Sequence, residues 1–254
     1  MKVGSKVLSL IVALATVAGS TLSTAAAATE PPSPQVVKDS TELLVALAQE
    51  DTKVISLKAN GDFEKIDHTI LINHPVTING NDNTLSFTES VNTEEENSGR
   101  DGLLIKSDNV TVSDLTVTMD AATTAEDGEP WQGVYGIQVY NSSVVELNNV
   151  AATGGDAGIL INSSEATLTG TIDVSGNEFG GIEVSKGKDE EGEDLTHPLK
   201  LTATNATITN GSEDETNPTI WVDLPEKEEG YDEGSAKGAA EGFFQDGSWD
   251  KTYY

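Results

Sequence analysis

The sequence predicts an all-β chain wound as a parallel β-helix, a solenoid of stacked rungs, and two patterns carry that expectation. Gly136-Ile-Gln-Val139, Gly158-Ile-Leu-Ile161 and Gly181-Ile-Glu-Val184 share the form Gly-apolar-x-apolar and start 22 and 23 residues apart, with Gly102-Leu-Leu-Ile105 as an earlier copy. Each is followed by apolar residues at offsets of 2, 3 and 2: Val110, Val112, Leu115, Val117, then Val145, Leu147, Val150, Ala152, and later Leu201, Ala203, Ala206, Ile208. Ala166, Leu168, Ile172 and Val174 repeat the pattern with one extra residue. A repeat of about 22 residues with short strands cannot bury its own apolar side chains, whereas stacked copies place like on like in one continuous core.

The elements follow in chain order. Lys2 and Lys6 precede an apolar run from Val7 to Leu22, and small residues end near Ala27, the form of a secretory signal peptide over residues 1–27. Thr16, Gly19, Ser20 and Thr21 dilute that run too far for a membrane anchor. Residues 28–38 read as a spacer rich in proline (Pro31, Pro32, Pro34). Asp39-Ser-Thr-Glu42 has the Asp-x-x-Glu spacing of a capping box and predicts a helix ending near Gln49, with Leu43, Leu44, Leu47 and Ala48 on one face. That face is expected to close one end of the solenoid, whose edge strands would otherwise be open.

Lys53–Leu57, Thr69–Ile72, Val76–Ile78 and Thr84–Phe87 are short, β-branched and broken by Asn, Gly or Pro, as brief strands are. The β-helix domain is expected over residues 39–224, interrupted by polar insertions at Asp120–Trp131 and Lys186–His197, with an acidic tail over 225–254. The tail concentrates aromatics (Tyr231, Phe243, Phe244, Trp249, Tyr253, Tyr254) between regularly spaced glycines. Two roles stay open for it: a docking segment whose aromatics meet a partner, or a cap that folds back over the last rung.

At this point the chain resembles the right-handed, single-stranded parallel β-helices of the pectate-lyase-like superfamily. The segment Ser40–Gln49 is similar to their N-terminal cap, and His68–Thr84 (HTILINHPVTINGNDNT) to their first-rung phrase. The likeness is closest to non-catalytic β-helix modules of bacterial exported and surface proteins.

Composition narrows the function. The chain holds 14 Lys+Arg against 43 Asp+Glu, for a net charge of -29, and Arg100 is its one arginine. A surface this acidic repels nucleic acid and anionic lipid, so neither is an expected partner, and removal of the leader takes away Lys2 and Lys6 but no acid. Cysteine is absent and the three histidines (His68, His74, His197) are scattered, which excludes thiolate chemistry and gives no zinc-type spacing.

The resemblance implies two possible catalytic sets: calcium-binding acids with an Arg or Lys base, or grouped Asp residues. Arg100 lies beside acidic Glu94-Glu95-Glu96, and only Lys106 projects from a central rung strand. Asp156 in Gly154-Gly155-Asp156-Ala157-Gly158 is the one turn acid that fits the second set, and it lacks partners, so it reads as a turn residue with catalysis as the alternative. A β-helix without a complete active site points to a secreted binding, adhesion or structural module at the bacterial envelope or matrix. The alternative is a divergent polysaccharide lyase or hydrolase.

Trp131, Tyr135 and Tyr140 are the candidates for sugar stacking, and Phe243, Phe244 and Trp249 for docking a cell-envelope protein. No cofactor is required. Asp189, Glu190, Glu191, Glu193 and Asp194 form an acidic loop that could bind calcium weakly, although solvated loops are the simpler reading. Asn109, Asn141, Asn162, Asn205 and Asn210 lie in glycosylation sequons, but rung turns also favour Asn. A flat threonine array over Thr111–Thr118 would need matching residues in the next rung, where Glu146, Asn148 and Ala151 fall instead.

Overall fold

The computed structural model describes residues 32–88, 100–120, 133–188, 192–193, 195–211 and 217–223, together with the strand residues 244–245 and 252–253. Strand β1 (Gln35–Asp39) and helix α1 (Ser40–Leu47) open the domain, so the first strand begins inside the stretch assigned to the spacer. Asp39 caps the helix, its Oδ1 accepting the Glu42 N–H at 2.8 Å. Glu42 Oε2 in turn accepts the Lys38 N–H at 3.1 Å, one residue further back than in a standard capping box. Leu43, Ala46 and Leu47 are buried while Ala48 is exposed. The helix ends two residues before the expected Gln49, which makes Ala48 its C-cap and brings Ala46 into the buried face. His74 Nε2 meets the Leu47 carbonyl at 2.9 Å and pins that end of the helix.

Among the described residues every strand pairing is parallel, in two sheets. The first sheet runs from β1 through β2 (Val54–Asp62), β4 (Thr77–Phe87), β6 (Thr111–Met119), β8 (Val145–Thr153), β10 (Glu165–Asp173), β12 (Lys200–Thr209) and β14 (Phe244–Gln245). The second holds β3 (Ile70–Ile72), β5 (Arg100–Ile105), β7 (Val134–Tyr140), β9 (Ala157–Asn162), β11 (Gly180–Ser185), β13 (Ile220–Asp223) and β15 (Thr252–Tyr253). The chain alternates between the sheets, so each turn of the coil lays one strand on each.

Spacing explains the register. Ile70, Leu103, Ile137, Ile159, Ile182 and Ile220 stack in one inward column, and Ile72, Ile105, Val139, Ile161 and Val184 in another. All are essentially without solvent contact, and burial of each such side chain contributes about 1.5–3 kcal/mol.

Six first-sheet strands, β2, β4, β6, β8, β10 and β12, each bend at one corner. Asn60, Asn81 with Asp82, Asp114, Asn149, Gly170 and Asn205 all have positive φ there. One left-handed residue shifts the in-out alternation, and that shift produces the offset of 3 between two offsets of 2. Asn and Asp tolerate this conformation because their short side chains bond locally. Asn149 Nδ2 donates to Asp114 Oδ1 (3.0 Å) and its Oδ1 accepts from Thr171 N (3.0 Å), so neighbouring corners are tied together. Thr111, Ser113 and Thr116 pair with Glu146, Asn148 and Ala151, which breaks the hydroxyl array as the spacing predicts.

The repeated glycines have a steric cause. A Cβ on Gly136 would lie 2.9 Å from the Gly158 carbonyl, and one on Gly102 2.6 Å from that of Gly136, so the next rung fills the space a side chain would need.

The tail contributes the last strands. Phe244 and Gln245 pair with Leu201 and Thr202, and Thr252 and Tyr253 with Ile220 and Trp221, so part of the tail continues both sheets.

Candidate functional site

The outer face of the second sheet gathers most of the chemistry. One outward column runs Leu71, Leu104, Gln138, Leu160, Glu183, Trp221, and a second runs Asp101, Tyr135, Ala157, Gly180. Small residues at the end of the second column leave a shelf, on which Tyr135 packs with Ala157 and Leu160 in a cluster separate from the main core. Tyr135 is 4% exposed, so its ring fills the face rather than offering a stacking surface, and its hydroxyl donates to Glu183 Oε2 at 2.8 Å. Burial, then the charges of Glu183, Asp156 and Asp101, push the Tyr135 hydroxyl pKa up.

Three carboxylates converge on this face, and each has a structural partner. Asp156, 5% exposed, accepts the Val134 N–H through Oδ2 at 2.9 Å, and its backbone carbonyl accepts from Phe179 N at 2.8 Å. Asp156 thus bonds to residues of two other rungs. Asp101 is buried, and the Gln138 amide nitrogen faces it at 2.7 and 3.2 Å from its two oxygens. Burial raises the Asp101 pKa to about 8, against a smaller lowering by Lys106. Glu183 is half-buried and oriented by Tyr135.

Beside them an open cleft of about 270 Å³ is lined by the small Ala157 and Gly180, by Phe179, Ile182 and Trp221, and by the acids Asp156 and Glu183. Trp221 is 40% exposed. Trp221, Phe179 and Glu183 were not among the sequence candidates.

The other candidates lie elsewhere. Tyr140 follows the inward Val139 on the same sheet, and Lys106 Nζ sits 4.9 Å from its ring centroid, a cation–π contact. Trp131, Phe243 and Trp249 fall outside the described residues, as do Asp189, Glu190, Glu191 and Asp194, whereas Glu193 is exposed. Phe244 belongs to β14. Among the described residues no group of three or more His, Asp or Glu side chains is placed to hold a metal. Asn109, Asn141 and Asn205 take positive φ, the turn role expected of them, while Asn210 is buried and donates to Asn217 Oδ1 at 2.7 Å.

A family model described as "Putative pectate lyase-like adhesive domain" matches residues 35–159, from the first strand into β9. Over those residues the chain is similar to that family, and its fold is a parallel β-helix. Two solved structures also align with this β-helix. One is a pectin methylesterase mutant in complex with a hexasaccharide, at 11% identity and a TM-score of 0.48, covering 80% of this chain and 74% of the other. The second is a pectin methylesterase with another hexasaccharide, at 11% identity and a TM-score of 0.42, covering 77% and 71%. No curated protein matches the sequence.

Proposed function

We propose that this protein is an exported, non-catalytic binding module that holds an extracellular polysaccharide on the outer face of its second sheet, at the cell envelope or in the surrounding matrix. One observation carries the reading. The cleft sets a half-exposed indole beside two carboxylates that the scaffold holds: Asp156 Oδ2 accepts the Val134 N–H and Glu183 Oε2 accepts the Tyr135 hydroxyl. An acid tied to a backbone N–H inside the fold is badly placed to move protons for a substrate, whereas a cleft that an indole shares with the small Ala157 and Gly180 suits a sugar ring.

The adhesive description of the matching family model supports a binding role, and the N-terminal Lys2–Ala27 pattern supports export. The test is binding to a panel of polysaccharides by affinity electrophoresis, with product release followed in parallel. Trp221→Ala is expected to weaken retention about tenfold with an unchanged melting temperature. Steady release of reducing ends or unsaturated uronates would refute the non-catalytic reading.

A further inference from the structure

We infer that Asn109 and Asn205 are sites of N-linked glycosylation, each taking a sugar on its side-chain amide, and that the fold withholds the other sequon asparagines from the same reaction. Neither residue lines the Trp221 cleft, and the inference stands apart from the binding role assigned there.

The chain carries Asn-x-Ser/Thr at Asn109, Asn141, Asn162, Asn205 and Asn210, and the structure sorts them. Asn141 Oδ1 accepts the His197 backbone N–H at 3.2 Å and faces the ring Nδ1 at 2.9 Å, so that amide is gripped by the second insertion. Asn162 Oδ1 accepts the Gly187 N–H at 2.9 Å, and Gly187 packs so closely that a Cβ there would stand 2.8 Å from Asn162 Nδ2. Its sequon hydroxyl, Ser164, is buried and donates to the Val139 and Asn162 carbonyls at 3.1 and 2.8 Å. Asn210 is buried, and its Nδ2 donates to the Asn217 backbone carbonyl and Oδ1.

Asn109 and Asn205 differ in each respect. Both are exposed, and among the described residues neither side chain has a hydrogen-bond partner. Their backbones turn the chain at φ of 58° and 52°, so the fold uses the main chain of these residues and leaves the amide in solvent. Thr111 is half-buried and Thr207 exposed, and their hydroxyls are likewise without a partner among the described residues. Val110 and Ala206, between each pair, are buried and anchor the tripeptide.

A second observation at Asn109 points to a sugar. An open cleft of about 400 Å³ joins Asn109 and Thr111 to Val144, Glu146 and Thr167 of the next two rungs. Val144 is 65% exposed and held at φ of 55°, a conformation that suits a β-branched residue poorly. The neighbouring Ser143 fixes it there, its N–H donating to Asp108 Oδ1 at 2.7 Å and its carbonyl accepting the Asn109 N–H at 3.1 Å. The isopropyl group gives the C–H face of a first sugar ring something to cover, and Glu146 and Thr167 give its hydroxyls partners.

The donor is a sugar activated by a diphosphate, carried on a nucleotide or on a polyprenyl lipid, and a transferase of the producing cell catalyses the step. Asparagine Nδ2 bonds to the anomeric carbon, the bond from that carbon to the phosphate oxygen breaks, the diphosphate leaves with the electron pair, and the amide loses one proton.

The experiment is peptide mass spectrometry of the full chain purified from the cells that make it. Sugar is expected on Asn109 and Asn205 and not on Asn141, Asn162 or Asn210; a single hexose marks the nucleotide-linked donor and an oligosaccharide the lipid-linked one. Thr111→Val and Thr207→Val should each abolish modification at the adjoining asparagine with an unchanged melting temperature, whereas Thr111→Ser should retain it. A bare Asn109 or Asn205 overturns the assignment at that site. Equal occupancy of Asn141, Asn162 or Asn210 overturns selection by the fold, and sugar that persists on Asn109 in Thr111→Val overturns the sequon as its cause.

Discussion

Gly158→Ala tests the steric cause of the glycine column. The added Cβ would stand 2.6 Å from the Ala152 carbonyl oxygen, 2.8 Å from Asn177 Nδ2 and 3.0 Å from Val174 Cγ1. None of these can yield cheaply, because Asn177 Nδ2 already donates to the Ala152 and Val174 carbonyls at 2.9 and 2.7 Å inside the core. Overpacking of this kind costs about 1–3 kcal/mol, and displacing Asn177 adds about 1–3 kcal/mol for a buried polar group left unpaired, so a loss of about 2–6 kcal/mol is expected. Gly176→Ala is the control: nothing lies within 4 Å of its Cβ, and its φ of +74° alone sets a cost of about 1–2 kcal/mol. Urea unfolding followed by far-ultraviolet circular dichroism compares the two. The reasoning fails if Gly158→Ala stays within about 1 kcal/mol of the parent, or if Gly176→Ala is the more damaging change.

Three further outcomes are expected. Asn177→Ala removes an acceptor for Gly155 N (3.0 Å) and donors to Ala152 and Val174, and should cost about 2–4 kcal/mol in the same unfolding measurement. Asp101 keeps its proton in the folded chain up to about pH 8, whereas the unfolded chain releases it near 3.8. Its contribution is therefore full below about pH 3.8, declines as pH rises and is lost above about pH 8; Asp101→Asn should flatten that part of a melting-temperature profile. A stop after Leu224 removes β14 and β15 and uncovers Leu201 and Ile220, so the truncated chain should melt several degrees lower and bind hydrophobic dye.

Much of the scaffold was readable because its signal is local. The offset of 3 in Val112 to Leu115 encodes a corner at Asp114, and the recurring Gly before Ile137, Ile159 and Ile182 marks the close approach of the next rung. Even the pairing of Thr111 with Glu146 followed from counting.

The functional face was not readable in the same way, because its contacts join rungs at distances set by insertions of irregular length. Gln138 meets Asp101 across the insertion near Asp120, and Glu183 meets Trp221 across that near Lys186. Tyr135 was legible as an outward aromatic on a sheet, but its burial depends on the small Ala157 one rung away. Asn177 looked like any turn residue. Its bonds to Gly155, Ala152 and Val174 appear only when two turns are stacked.

The corner of the first sheet has a consequence for how such a chain can change over time. At Gly170 one strand carries an additional residue, yet Ile172 still pairs with Val150 below and Ile208 above. The left-handed corner thus acts as a joint that absorbs a length error before it reaches the next flat segment. A one-residue insertion there is contained within its own turn of the coil, while the same insertion in the middle of β9 would turn the remaining side chains of that strand inside out. Rungs can therefore drift independently in length and sequence at their corners, and new loops can be accepted there without disturbing the columns of isoleucine that hold the coil together.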